Sequence, residues 1–206
     1  MNDASAEMPV NHHADHPGFA GITGSLFGFL FLLIGRANAR LATERAHVSA
    51  ADHVVDVGCG PGTAARTAAR RGARVTGVDP SASMLRIAQA VTRGRADITW
   101  AEGTAERLPV PDGSATVVWA LATVHHWRDV TEGLAQAYRV LAPGGRLLAV
   151  ERRTDHGATG LATHGWTDAQ AESFAGLCRA AGLVDVCVTG DRAGRRPVWT
   201  VSGTKP

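Results

Sequence analysis

The chain has 206 residues, of which 45% are hydrophobic and 19% charged, with a formal net charge of +2. That length suits one α/β domain with a real core plus an extension, and it excludes two full domains. The composition excludes disorder over most of the chain, and so small a net charge gives no broad basic field for a nucleic-acid partner.

Lys205 is the sole lysine among the basic residues, a pattern that reads as coding bias rather than a phosphate-reading surface. Cys59, Cys178 and Cys187 show no Cys-x-x-Cys spacing, so neither a disulfide framework nor a metal site is expected. They read as buried small hydrophobes in a reducing, cytoplasmic setting. Residues 1–16 contain Asp3, Glu7 and Asp15 without Lys or Arg, which is not the basic start of a secretory signal.

Residues 1–48 read as an N-terminal extension and 49–206 as the main domain. Within the extension, Pro17 to Gly35 carries no charge and holds Phe19, Phe27, Phe29 and Phe31. The strongly apolar part, Leu26 to Ile34, is too short to cross a bilayer, which takes roughly 20 residues. Two readings stay open: a lid or buried helix, or peripheral membrane contact through residues 19–35. His12, His13 and His16, with Phe19, are candidate substrate-binding residues on the lid reading; as a metal cluster at a chain end they are weak.

A helix is expected over Arg36 to His47. From His53 the pattern alternates between periods of two and of 3.6. Short β-branched runs at His53–Val57, Arg74–Val78, Ile98–Ala101, Ala115–Ala120 and Arg146–Val150 are separated by helical stretches at Thr63–Arg71, Ala82–Arg93 and Val130–Leu141. Alternation of this kind means parallel strands with crossover helices on both faces. Turn signals fall at Arg71-Gly72, Arg93-Gly94, Pro111-Asp112-Gly113 and Pro143-Gly144-Gly145. The tail reads as a helix capped by Thr167 and running to Ala181, strands at Leu183–Thr189 and Pro197–Ser202, and a turn at Gly190–Gly194. The fold expected is therefore α/β and Rossmann-like: a doubly wound, mostly parallel seven-stranded sheet ending in an antiparallel hairpin.

The stretch VVDVGCGPGTAA carries the functional signal. Gly58, Gly60 and Gly62 follow a strand and precede a helix, where a chain that turns sharply beneath a ligand needs them. A dinucleotide site requires a third glycine where Thr63 stands, and no Gly-Lys-Ser/Thr follows for a phosphate loop. Asp56 lies two places before the first glycine, and Asp79 ends the next strand. A carboxylate beside the turn repels pyrophosphate and suits a cationic ligand end, while an acid at the position of Asp79 accepts ribose hydroxyls.

These residues resemble the class I S-adenosylmethionine-dependent methyltransferases, in the small-molecule branch that includes ubiquinone and menaquinone biosynthesis enzymes. VVDVGCGPG is similar to that family's first motif, and VDPSASML to its ribose-binding strand end. AEGTAERLPVPDGSATVVWALATVHHW and AYRVLAPGGRLLAVE are similar to its later strands and last crossover helix. The resemblance implies S-adenosyl-L-methionine as cofactor and methyl transfer by in-line displacement to a small, apolar or aromatic acceptor. It places Gly58, Gly60 and Gly62 under the methionine portion with Asp56 orienting it, Asp79 on the ribose, and Pro80 and Met84 beside the adenine. Thr104 and Ala105 fall at the adenine edge, with Ala120 among the cofactor-binding positions. Thr104 departs from the family's usual aspartate, and a neutral acceptor is weaker. His125, just past the fourth strand at the ligand edge of such a sheet, is the candidate catalytic base; His126 is a candidate substrate contact. The competing reading is a cofactor-binding module with little or no turnover that serves a partner. Oligomeric state and acceptor identity are not encoded in these motifs.

Overall fold

The computed structural model describes residues 10–11, 35–94, 97–156 and 164–206. Seven strands, β1 (His53–Val57), β2 (Arg74–Asp79), β3 (Ile98–Glu102), β4 (Ala115–Leu121), β5 (Leu141–Arg152), β6 (Val184–Ala193) and β7 (Arg196–Thr204), form one sheet. Their order is β3-β2-β1-β4-β5-β7-β6. The first five pair in parallel, and β7 runs antiparallel to both β5 and β6. The expected architecture is the observed one.

Among the described residues five helices flank the sheet: α1 (Arg36–Arg45), α2 (Thr63–Ala69), α3 (Ala82–Val91), α4 (Val130–Val140) and α5 (Asp168–Ala180). Local chemistry sets their starts. Ser81 and Asp129 accept from the backbone N–H groups of Met84 and Glu132 at the heads of α3 and α4. Thr167 and Gln170 form a reciprocal capping box on α5.

The strands alternate their side chains between two cores, which is why β1, apolar on both faces, is fully buried. Val54, Val75, Val117, Trp119 and Leu148 face the alanines of α1 and α2. Val55, Val57, Val118 and Ala149 face α4 and α5 through Leu134, Ala137 and Phe174. Alanine on α2 lets that short helix lie close to the sheet. Strand order reverses direction at β1, with β2 on one side and β4 on the other. In open α/β sheets the crevice at the carboxyl ends of such strands is where ligands bind.

Two sequence expectations change. The turn placed at Gly190–Gly194 is shorter, because Gly190, Asp191 and Arg192 pair with Trp199, Val198 and Pro197 and only Gly194 and Arg195 connect the strands. Asp191 holds this part of β6 straight through bonds to Arg45 and to the Thr200 hydroxyl. Pro143-Gly144-Gly145 is a bulge inside β5 rather than a turn before it, since Leu141 already pairs with Ala115. Gly144, at φ +75°, supplies the reversal the bulge needs.

Candidate active site

The turn after β1 holds Gly58, Gly60 and Gly62, all in the left-handed region at φ +70°, +51° and +78°. Their surroundings differ. A Cβ on Gly58 would meet the Thr123 side chain at 2.6 Å, and one on Gly62 would meet the Trp100 ring at 2.3 Å. At Gly60 a Cβ would have nothing within 4 Å. Two glycines thus make room for the protein's own side chains, and the third faces open space.

Asp79 ties this turn to the next strand. Its two carboxylate oxygens accept from the N–H groups of Gly60 and Ser81, each at 2.8 Å. Ionised, a carboxylate has about four acceptor directions, so two remain. Burial raises the Asp79 pKa, and the two N–H donors oppose the rise.

Asp56 lies deeper, with one oxygen accepting from Ala65 N–H at 3.0 Å inside α2. Burial pushes its pKa up to about 7, and the charge of Asp79 adds to the rise. Working the other way are the Ala65 N–H and the indole N–H of Trp119, which lies near the carboxylate without completing a hydrogen bond. Two acids with raised pKa values side by side favour a cation nearby.

The remaining positions fall around this crevice. Pro80 is exposed, Met84 is buried on α3, Ala120 is buried in β4, and Ala105 is buried just past β3. Thr104 is exposed at the end of β3, its carbonyl accepting from Arg107 N–H.

At the end of β4 the chain turns through Ala122, whose φ of +57° is unusual for a residue with a Cβ. The turn sets Thr123 against Gly58 and starts a single 3-10 turn, Val124–His126. His125 is 3% exposed, and its Nδ1 lies 2.9 Å from an oxygen of Glu151, which is fully buried in β5. The other Glu151 oxygen accepts from Val124 N–H at 2.9 Å. Burial lowers the His125 pKa, but the charge and hydrogen bond of Glu151 together outweigh it, so the net shift is upward. The rings of His126 and His164 lie 4.2 and 5.7 Å from that of His125. No group of three or more His, Cys, Asp or Glu among the described residues is arranged to hold a metal.

His12, His13, His16 and Phe19 lie outside the described residues. So does the apolar stretch up to Ile34. Val10 and Asn11 are described: the Val10 carbonyl accepts from the Trp166 indole, and the Asn11 amide donates to the carbonyls of Trp127 and Arg128. These bonds hold Val10 and Asn11 beside the histidine turn. Among the described residues no helix is long and apolar enough to cross a membrane.

A protein-family model described as a methyltransferase domain matches residues 55–149, from β1 through the centre of β5. Over those residues the chain is similar to the methyltransferase-domain family. The chain is 37% identical over 121 residues to the ubiquinone/menaquinone biosynthesis C-methyltransferase of Rubrivivax gelatinosus, covering 59% of this chain and 47% of that one. It is 39% identical over 112 residues to the demethylmenaquinone methyltransferase of Tropheryma whipplei, covering 54% and 46%. The chain thus spans about half the length of the curated relatives it matches. An S-adenosylmethionine-dependent methyltransferase from Aquifex aeolicus superposes with a TM-score of 0.74 over 88% of this chain and 98% of that one; at 14% identity this speaks for the fold alone.

Sequence reasoning missed three contributors to this site. Glu151 is far from His125 in the chain and meets it only because β4 and β5 are neighbours. Trp100 and Thr123, which explain two of the glycines, carried no motif. An acid at the carboxyl end of β5, next to the strand that bears the histidines, was the available signal for Glu151.

Proposed function

We propose that the chain is an enzyme that moves a methyl group from S-adenosylmethionine to a small apolar or aromatic acceptor. One observation carries the reading: Gly60 is open at its Cβ position while its own N–H is fixed by Asp79, inside a matched methyltransferase domain. The residues fit the cofactor. Asp79 keeps acceptor capacity for a ribose diol, Gly58, Gly60 and Gly62 shape the turn below the methionine portion, and Asp56 with Asp79 supplies negative charge for a cationic end. Pro80, Met84, Thr104, Ala105 and Ala120 are proposed to complete the cofactor's surroundings.

When bound, S-adenosylmethionine supplies an electrophilic methyl group whose transfer discharges the sulfonium. The chain's task is then alignment of the acceptor, which is worth roughly 7–11 kcal/mol when well achieved. His125 takes the acceptor's hydroxyl proton at Nε2 while its Nδ1–H donates to Glu151. The buried carboxylate fixes the tautomer and stabilises the imidazolium that forms. His126 lies against the same ring as a proposed acceptor contact.

A hydroquinone or phenol is the acceptor class best supported. The names of the two relatives point to it, and removing a phenolic proton raises nucleophilicity at both the oxygen and the adjacent ring carbon. Anchorage of Val10 and Asn11 beside Trp127 and Trp166 supports the extension, with His12, His13, His16 and Phe19, as a lid over that acceptor.

Calorimetric titration tests the reading at its root. S-adenosylmethionine and S-adenosylhomocysteine should bind and NAD should not; binding of NAD alone overturns the cofactor assignment. Methyl release over a panel of hydroquinones, phenols and amines then tests the acceptor, and turnover with amines only would remove the phenolic class.

A further inference from the structure

On the face of the sheet covered by α1 and α2, a cavity of about 260 Å³ is lined by Arg36, Arg40, Thr63, Arg66, Thr67 and Arg70. The spacing explains it. Arg36 and Arg40 are one turn apart on α1, and Thr63, Arg66, Thr67 and Arg70 share one face of α2. Four guanidinium groups converge, yet the whole chain carries a formal charge of only +2.

Among the described residues no carboxylate lines the cavity and none of the four arginines forms an ion pair. Their recorded bonds are local: Arg66 Nε donates to the Gly62 carbonyl and Arg70 to the Thr67 hydroxyl. The Arg66 pKa is lowered by burial first and then by the charges of Arg70 and Arg36, so the guanidiniums repel one another. A second feature is independent of charge. Thr63 lines this cavity and is 7% exposed, and among the described residues its buried hydroxyl has no hydrogen-bond partner. Arginine forks and a hydroxyl donor together match the oxygens of a tetrahedral dianion.

We propose that this cavity is a binding site for a phosphate monoester dianion, separate from the methyl-transfer site. Arg66, the least exposed of the four, holds the phosphoryl group from below, Thr63 donates its hydroxyl, and Arg36, Arg40 and Arg70 close around it. The same chemistry is offered by a soluble phosphate ester and by an anionic lipid headgroup. The proposal does not depend on the identity of the methyl acceptor.

The test uses the full chain and inorganic phosphate, followed by phosphorus NMR and calorimetry at low ionic strength. Phosphate should bind saturably, with at least a tenfold loss of affinity in the Arg40→Gln/Arg66→Gln double variant and a smaller, threefold or greater loss in Thr63→Val. Circular dichroism would confirm that the variants keep their fold. Vesicles containing phosphatidic acid, whose headgroup is a phosphate monoester, separate the two sources. Binding that is lost in the double variant and displaced by phosphate assigns the site to lipid headgroups, whereas phosphate binding without vesicle binding assigns it to a soluble ester. Three results would overturn the proposal: equal phosphate affinity in wild type and both variants, the same response to sodium chloride at matched ionic strength, or competitive displacement of phosphate by S-adenosylhomocysteine.

Discussion

The glycine turn and the histidine turn sit at the carboxyl ends of adjacent strands, yet they are built on opposite plans. Around the glycine turn the functional groups are close in sequence and make backbone contacts: Asp79 to Gly60 N–H, Asp56 to Ala65 N–H. At the histidine turn the pair is between side chains, His125 and Glu151, brought together by the register of β4 on β5. The first arrangement suits a ligand common to many acceptors. On the proposed function, the second is where acceptor chemistry would vary.

Within the glycine turn, room for protein and room for ligand can be separated by mutation. Gly62→Ala should give the largest loss of stability of any change in this turn. Its Cβ would lie 2.3 Å from Trp100 at a φ of +78°, and overpacking plus the left-handed conformation cost about 2–4 kcal/mol together. Gly60→Ala meets no protein atom within 4 Å and should cost only about 1 kcal/mol, while cofactor affinity falls at least a hundredfold. Urea denaturation and calorimetry read the two effects. If Gly60→Ala binds S-adenosylmethionine normally, Gly60 is not the position that the cofactor approaches. A Trp100→Leu background should relieve most of the Gly62→Ala penalty.

This contrast also marks what could be read from sequence. The strand order follows from alternating periods, and the turn from a contiguous run with an acid on either side, so both were legible in residues 52–151. The division of labour among the three glycines was not. It depends on Trp100 and Thr123, which reach the turn from β3 and from the segment after β4. Glu151 reads as the polar end of an apolar strand until the sheet order places it beside His125. The tail was legible as a hairpin, but its turn was placed too early because Gly190 looks like a break and is a paired strand residue.

The histidine turn makes the complementary prediction. His125→Ala should lower kcat about a hundredfold, the lower end of what a positioned general base contributes, with the cofactor dissociation constant unchanged. Glu151→Gln keeps an acceptor for Val124 N–H but removes the charge that raises the His125 pKa. A base works only when unprotonated, so wild-type activity should rise with pH through a midpoint above 6.5, the ordinary value for histidine. Glu151→Gln should move that midpoint lower and reduce kcat about tenfold. An unmoved pH profile would show that the pair does not act as the base.

Asp56 tests whether the glycine turn carries stored electrostatic cost. Burial raises its pKa from 3.8 to about 7, so between those values the folded chain binds a proton that the unfolded chain has released. Its contribution therefore favours the fold at low pH, declines as pH rises from 3.8 to about 7, and is level above that. Asp56→Asn keeps an acceptor for Ala65 N–H and removes the titration. The variant should match wild type near pH 4 and exceed it near pH 8, by a margin on the order of 1–3 kcal/mol. Parallel stability curves across that range would show that Asp56 does not titrate in the fold.

The smallest effect is expected at Thr104, just past the end of β3. Thr104 is exposed, and its carbonyl is engaged by Arg107 N–H, which leaves the side chain free to project from the end of β3. A hydroxyl there offers an amine one neutral bond, whereas a carboxylate offers a charge-assisted one of roughly twice the strength. In solvent that difference is worth less than about 1 kcal/mol, so Thr104→Asp should tighten S-adenosylmethionine binding two- to fivefold. Because the change lies on the cofactor side, kcat and its pH dependence should stay at the wild-type values. Tighter binding with a shifted pH profile would mean instead that the new charge is felt at His125, and that the two turns form one electrostatic unit rather than two independent ones.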